Sequence, residues 1–147
     1  MPEWKLKIVG EGGERAKLTE FIENNKIAES VELVGMIDNV DQYYRQAEIF
    51  CLSSRVEGFG MVLTEALAFG LPVVSFDCGP GPAEVLEGTD SILVPKNDVN
   101  QLALSLIELM INDEQRKTIR LRGKEKVEIY QPNNIISKWL DLLKSFE

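Results

Sequence analysis

Apolar positions along the first two thirds of the chain follow two alternating rhythms. Strand-length runs, rich in β-branched or apolar residues, occur as "WKLKIVG" (4–10), "VELVG" (31–35), "IFCLSS" (49–54), "PVVSF" (72–76) and "SILVP" (91–95). Between them lie segments of helical spacing: Leu18, Phe21 and Ile22 in "ERAKLTEFIENN", a short "VDQYYRQA", a run opening near Gly60, and another from about Pro82. Short apolar runs separated by helices predict βαβ units and a parallel sheet.

After Pro95 the rhythm is helical only. "NDVNQLALSLIELMIND" opens on Asp98 with Gln101 three residues later, a capping-box arrangement. Its expected apolar face is Leu102, Ala103, Leu106, Ile107, Leu109 and Met110. "EQRKTIRLRGKEKVEIY" predicts a basic, solvated helix interrupted at Gly123. "PNNIISKWLDLLKSF" places Ile135, Ile136, Trp139, Leu140 and Leu143 on one side, a large face for the tail of a small domain. Packing on the sheet, exposure and self-association all remain open for it. The predicted fold class is α/β, a doubly wound parallel sheet with a helical C-terminal tail.

Composition narrows the function. The 147 residues, 44% hydrophobic and 27% charged, suffice for one domain with a proper core. A net charge of −8 argues against a nucleic-acid partner, which calls for a basic patch. It also means that any phosphate must be held locally, by backbone amides or a few cations. Histidine is absent, and Cys51 and Cys78 are too few and scattered for a disulfide framework or structural zinc. They read as a buried thiol and a loop thiol. The apolar stretch 61–76 is broken by Thr64, Glu65, Gly70 and Pro72, so no membrane span is expected. The Met-Pro-Glu-Trp start is not a signal peptide, and the chain reads as cytoplasmic.

The segment that asks for a chemical explanation is "EGFGMVLTEALAFG" at 57–70. Glu65 sits among Leu63, Ala66, Leu67 and Phe69, and a carboxylate buried without a partner costs several kcal/mol. In open parallel sheets ligands bind beyond the carboxyl ends of the strands, which is where Glu57, Phe59 and Gly60 fall after the third run. The helix starting near Gly60 leaves its first amides, about Gly60 to Val62, without intrahelical partners, an anion site. Glu65, one to two turns further, can accept hydrogen bonds from a ribose diol. The residues therefore suit a nucleotide-sugar clamp. They equally suit a loop-capping Glu57 and a Glu65 paired with a nearby Arg or Lys.

The segment resembles the E-x7-E signature of the retaining glycosyltransferases of family 4, two-domain enzymes of GT-B architecture. "GEGGERAKL", "VELVGMIDNVDQYYRQAEIFCLSSRVEGFGMVLTEALAFGLPVVSFDCGPGPAEVL" and "SILVPKNDVNQLALSL" follow the family's Rossmann-like, donor-binding C-terminal domain in order and spacing. That covers roughly residues 4–112. The resemblance implies that Glu57 is the catalytic-site acid that contacts hydroxyls of the transferred sugar. It implies that backbone groups of Phe59, Gly60 and Met61, with Val62 beside them, line the sugar and diphosphate, and that Glu65 holds the ribose. Met36 and Ile37 would edge the nucleobase through backbone groups, or else form a plain strand-to-helix loop. Arg55 is either a pocket cation or a surface partner for Glu57. Glu84, in a variant Gly-Gly-x-x-Glu loop, is expected to stabilise its helix N-terminus.

The resemblance further implies that residues 1–147 form one nucleotide-sugar-binding domain, a fragment of a two-domain enzyme, inactive alone. The enzyme would move a sugar from a nucleoside-diphosphate-sugar to a glycan or lipid-linked acceptor in cell-surface polysaccharide synthesis. It would use no metal or cofactor, and would associate peripherally with the inner face of a membrane. The partners implied are the donor and an N-terminal acceptor domain. Two other readings stay open: a nucleotide-sugar epimerase-like domain, disfavoured by the lack of histidine, and a non-catalytic Rossmann-like binding module.

Overall fold

The structure is a computed structural model that describes residues 3–146. All five strand-length runs are strands: β1 (Leu6–Val9), β2 (Val31–Gly35), β3 (Phe50–Leu52), β4 (Val73–Asp77) and β5 (Ile92–Pro95). Every pairing between them is parallel. The helices are α1 (Arg15–Asn24), α2 (Asp41–Gln46), α3 (Met61–Ala68), α4 (Pro80–Leu86), α5 (Val99–Ile111), α6 (Asp113–Val127) and α7 (Pro132–Lys144). A 3-10 turn, Glu128–Tyr130, joins the last two. The fold is Rossmann-like: parallel sheets, flanking helices and a helical C-terminal tail.

The expected single ladder is divided. β1 and β2 form a two-stranded sheet, and β3, β4 and β5 a three-stranded one. The chain correspondingly groups into two compact units, Met1–Gln42 and Tyr43–Glu147. Periodicity reports which side of a strand is buried, not which neighbour it bonds, so it does not foretell where a ladder stops.

In the second unit β4 lies between β3 and β5, and Val73, Val74, Ser75 and Phe76 are all buried. A central parallel strand covered on both faces explains why this run is continuously apolar rather than alternating. Around it, Val74, Phe76, Cys78, Val94, Leu102, Leu109 and Ile119 make one core cluster. Cys78, expected as a loop thiol, belongs to that core.

The helices depart from their sequence reading in three places. On α5 the buried positions are Leu102, Ser105 and Leu109, with Leu106 packed at the edge, while Ala103 and Ile107 face solvent. This narrow stripe follows i, i+3, i+4, i+7 spacing, and an apolar count alone overestimates it. Second, α6 runs unbroken through Gly123. A Cβ there would stand 2.8 Å from Leu67 Cδ2, so the missing side chain serves the close packing of α6 on α3. Third, α4 begins at Pro80, earlier than expected, which leaves Glu84 beyond its first turn. Glu84 therefore does not sit where it would stabilise the helix N-terminus.

The α5–α6 corner is tied by Arg116, whose Nη1 donates to the carbonyls of Leu109 (2.6 Å) and Met110 (3.2 Å). No residue of α7 is buried, and Ile136, Trp139, Leu140 and Leu143 are each at least half exposed. No helix among the described residues is long and apolar enough to cross a membrane.

At the start of α5, Asp98 Oδ1 accepts from the Gln101 backbone N–H at 2.9 Å. Asp98→Ala is expected to lower stability by about 1 kcal/mol through this lost cap, read as a small fall in midpoint in a urea melt with unchanged slope.

Candidate functional site

The loop between β3 and α3 carries most of the candidate residues. It leaves the carboxyl end of β3 and closes at Gly60, the N-cap of α3, with φ +82°. An L-residue there would be strained, and glycine costs nothing extra in this left-handed turn. The Leu63 amide already returns to the Gly60 carbonyl at 2.8 Å. The amides before it remain available at the helix N-terminus, where the macrodipole favours an anion. Met61, Val62 and Phe59 are exposed around this end.

Because β3 and β4 are parallel neighbours, the loop after β4 emerges beside the loop after β3. The two are in backbone contact. A Cβ on Gly81 would fall 2.1 Å from the Gly58 carbonyl oxygen and 2.6 Å from Phe59 Cα, and one on Gly79 would fall 2.8 Å from the Glu57 carbonyl oxygen. "CGPG" therefore backs the acidic loop with no room for a side chain at Gly79 or Gly81. On its other flank Phe59 meets Tyr130 edge to face, with ring centroids 5.4 Å apart. The Tyr130 hydroxyl is buried without a hydrogen-bond partner among the described residues, and burial, then the charges of Glu84 and Glu87, raise its pKa. Cys78, at the base of the same loop, has its thiol pKa raised by burial first and by the Glu57 carboxylate second.

The two carboxylates are held differently. Glu57 is half-buried, and no hydrogen bond or ion pair among the described residues engages its carboxylate. Arg55 is exposed and is not its partner. Glu65, also half-buried, is not in an ion pair either: its Oε2 accepts from the Tyr44 hydroxyl at 2.9 Å. A neutral donor satisfies one oxygen of the charge that the apolar run of α3 would otherwise leave unmatched.

Arg55, Glu57, Phe59, Gly60, Met61, Val62 and Glu65 all belong to the second unit, on one loop and the helix it opens. Met36 and Ile37 belong to the first, directly after β2, where Met36 is 81% exposed. Gly35, with φ +84°, makes the turn that presents them. A separate open concavity of about 600 Å³ runs along Gly12, Gly13 and α1, and includes none of these residues. Tyr44 and Tyr130 have no motif to announce them, and the variant Gly-Gly-x-x-Glu loop that holds Gly81 does not announce its contact with Gly58 and Phe59. The sequence asks for a partner to Glu65 but does not say which residue supplies it.

Comparison with known proteins adds four findings. Residues 1–126 match the family model described as Glycosyl transferases group 1. The amylovoran biosynthesis glycosyltransferase AmsD of Erwinia amylovora is 36% identical over 140 residues, covering 95% of this chain and 40% of that protein. The poly(glycerol-phosphate) alpha-glucosyltransferase of Bacillus subtilis is 31% identical over 140 residues, covering 95% of this chain and 21% of that protein. Among solved structures, a mutant of S. aureus TarM in complex with fondaparinux, alpha-GlcNAc-glycerol and UDP superposes with a TM-score of 0.85. It is 28% identical and is matched over 94% of this chain and 28% of its own. The chain thus spans two fifths or less of the length of each of these relatives.

Proposed function

The chain belongs to the glycosyl transferases group 1 family, and from that premise we propose that it is the donor-binding half of a retaining glycosyltransferase of family 4. On this reading it serves an enzyme of cell-surface polysaccharide or glycopolymer synthesis, as the names of its relatives suggest. The observation that carries the reading is the contrast between two carboxylates on one loop and helix. Glu65 is fixed by a protein donor, while the half-buried Glu57 has no protein partner among the described residues and is left for ligand hydroxyls.

Each group then has one task. The amides around Gly60, Met61 and Val62 hold the diphosphate at the N-terminus of α3. Glu65 accepts from the ribose diol and Glu57 from hydroxyls of the transferred sugar. Arg55, which is exposed, is a cation for the phosphates. The bond from the anomeric carbon to the diphosphate oxygen breaks, and a bond to the acceptor oxygen forms on the same face. The acceptor proton leaves with the nucleoside diphosphate. No metal or cofactor enters this scheme.

The transfer itself needs the remainder of the enzyme, because positioning donor and acceptor together is worth up to roughly 7–11 kcal/mol of barrier. We assign the exposed apolar side of α7 to contact with that remainder, the acceptor-binding domain. The enzyme would act in the cytoplasm, at the inner face of a membrane that presents the acceptor.

The test is a ligand-detected NMR titration, which reads affinities down to millimolar, with UDP and a UDP-sugar as probes. Glu65→Gln keeps one acceptor oxygen but loses the charge, so both probes should bind about tenfold to a hundredfold more weakly. Glu57→Gln should weaken only the sugar-bearing probe. Equal losses of both probes in both variants would overturn the assignment, as would Glu65→Gln binding like the unaltered chain.

A further inference from the structure

Tyr44 lies 21 residues before Glu65 and on a different helix, yet its hydroxyl donates to Glu65 Oε2 at 2.9 Å. The ring that carries the hydroxyl is buried, with 6% of the residue's surface exposed. It stacks on Phe69 with centroids 5.1 Å apart at 15°, and tilts against Phe50 at 5.9 Å. Phe69 is the C-cap of α3 and Phe50 opens β3, so the phenol is wedged between the strand and the helix that bracket the acidic loop. The Arg45 guanidinium covers the Phe69 ring at 5.1 Å. A tyrosine held this way has almost no freedom left, and its oxygen is a fixed point.

Glu65 differs in this respect. Its side chain has several rotatable bonds and projects from α3 half-buried. Without a tether it would sample several rotamers, and a ligand would have to select one of them. One bond from Tyr44 occupies one of the carboxylate's roughly four acceptor sites and leaves the rest for a vicinal diol.

We infer that Tyr44 is a positioning residue of the nucleotide site: it orients the Glu65 carboxylate for a ribose diol and does not itself touch the ligand. The inference rests on the assignment of Glu65 to the ribose, and the experiment separates failure of the one from failure of the other.

Tyr44→Phe removes the hydroxyl and keeps the ring stack. The probes are UDP and 2′,3′-dideoxy-UDP, which lacks the diol, each titrated by NMR into the chain, the Tyr44→Phe and Glu65→Gln variants and the double variant. Tyr44→Phe should weaken UDP about threefold to tenfold and leave dideoxy-UDP unchanged. In the double variant the UDP loss should not exceed that of Glu65→Gln alone, since the two residues act as a unit. A purely structural role for Tyr44 would weaken both probes alike, and that result overturns the inference. So does unchanged UDP binding in Tyr44→Phe when Glu65→Gln weakens it. If Glu65→Gln itself leaves UDP binding intact, the ribose assignment falls and takes this inference with it.

Discussion

Gly81→Ala is expected to displace the acidic loop and to weaken binding of a UDP-sugar by about tenfold to a hundredfold, the loss of a hydrogen bond to a charged group. The alanine Cβ would meet the Gly58 carbonyl oxygen at 2.1 Å and Phe59 Cα at 2.6 Å. These are backbone atoms, so no side-chain rotation relieves the clash, and the loop or α4 must move by roughly an ångström to restore ordinary contact. Overpacking of this kind costs about 1–3 kcal/mol, which for a chain of this size lowers the melting temperature by about 2–12 °C. The functional loss should exceed what stability alone predicts. The loop that moves carries Glu57 and ends at the left-handed turn of Gly60, and an ångström of misplacement breaks a hydrogen bond to a charged group, worth about 1.5–3 kcal/mol. Gly12→Ala is the control: a Cβ there meets nothing within 4 Å, so melting and binding should both stay unchanged. A Gly81→Ala chain that melts and binds like the unaltered protein would show that the two loops are not in the contact described.

The second large effect is in the core. Leu109 on α5 has no exposed surface and belongs to the cluster of Val74, Phe76, Val94 and Ile119. Leu109→Ala removes buried methyl groups and leaves a cavity that its neighbours fill only in part, at a cost of about 2–5 kcal/mol. Thermal melts by circular dichroism should fall by about 5–20 °C. Leu104 on the same helix is 60% exposed, and Leu104→Ala should change stability by no more than about 0.5 kcal/mol. The two leucines are alike in composition and in helix propensity. Equal effects at both positions would refute the burial assigned to α5.

How much of this is legible beforehand depends on the kind of signal. Four of the five strands fall inside the apolar runs that predict them and β4 passes its run by one residue, Asp77, because a strand between helices must be apolar whatever it pairs with. The cap at Asp98 is legible for a similar reason: a side chain three residues from its target amide needs no tertiary help. Gly123 misleads because the sequence shows only the absence of a side chain. That absence fits a helix break as well as a close crossing, and the position of Leu67 decides between them. The apolar pattern of α5 draws its buried face too wide, since Ala103 and Ile107 are apolar but have nothing above them.

In the candidate site, what the sequence determined by itself was local. It placed a glycine-closed turn at the end of a strand, a helix N-terminus with unpaired amides, and two carboxylates on one loop-helix segment. Such features depend on residues within a few positions of one another, and backbone geometry forces them wherever the segment folds. Tertiary structure decided how those groups are held. Tyr44 reaches Glu65 from another helix, the "CGPG" loop backs Gly58 and Phe59 from the neighbouring strand, and Tyr130 meets Phe59 from the 3-10 turn after α6. None of these contacts has a spacing rule, because the chain between the partners forms other elements before it returns. Glu57 ends without a protein partner among the described residues and Glu65 with one, although both are glutamates in one short segment. The difference lies in what the fold brings against each carboxylate, and only packing supplies that.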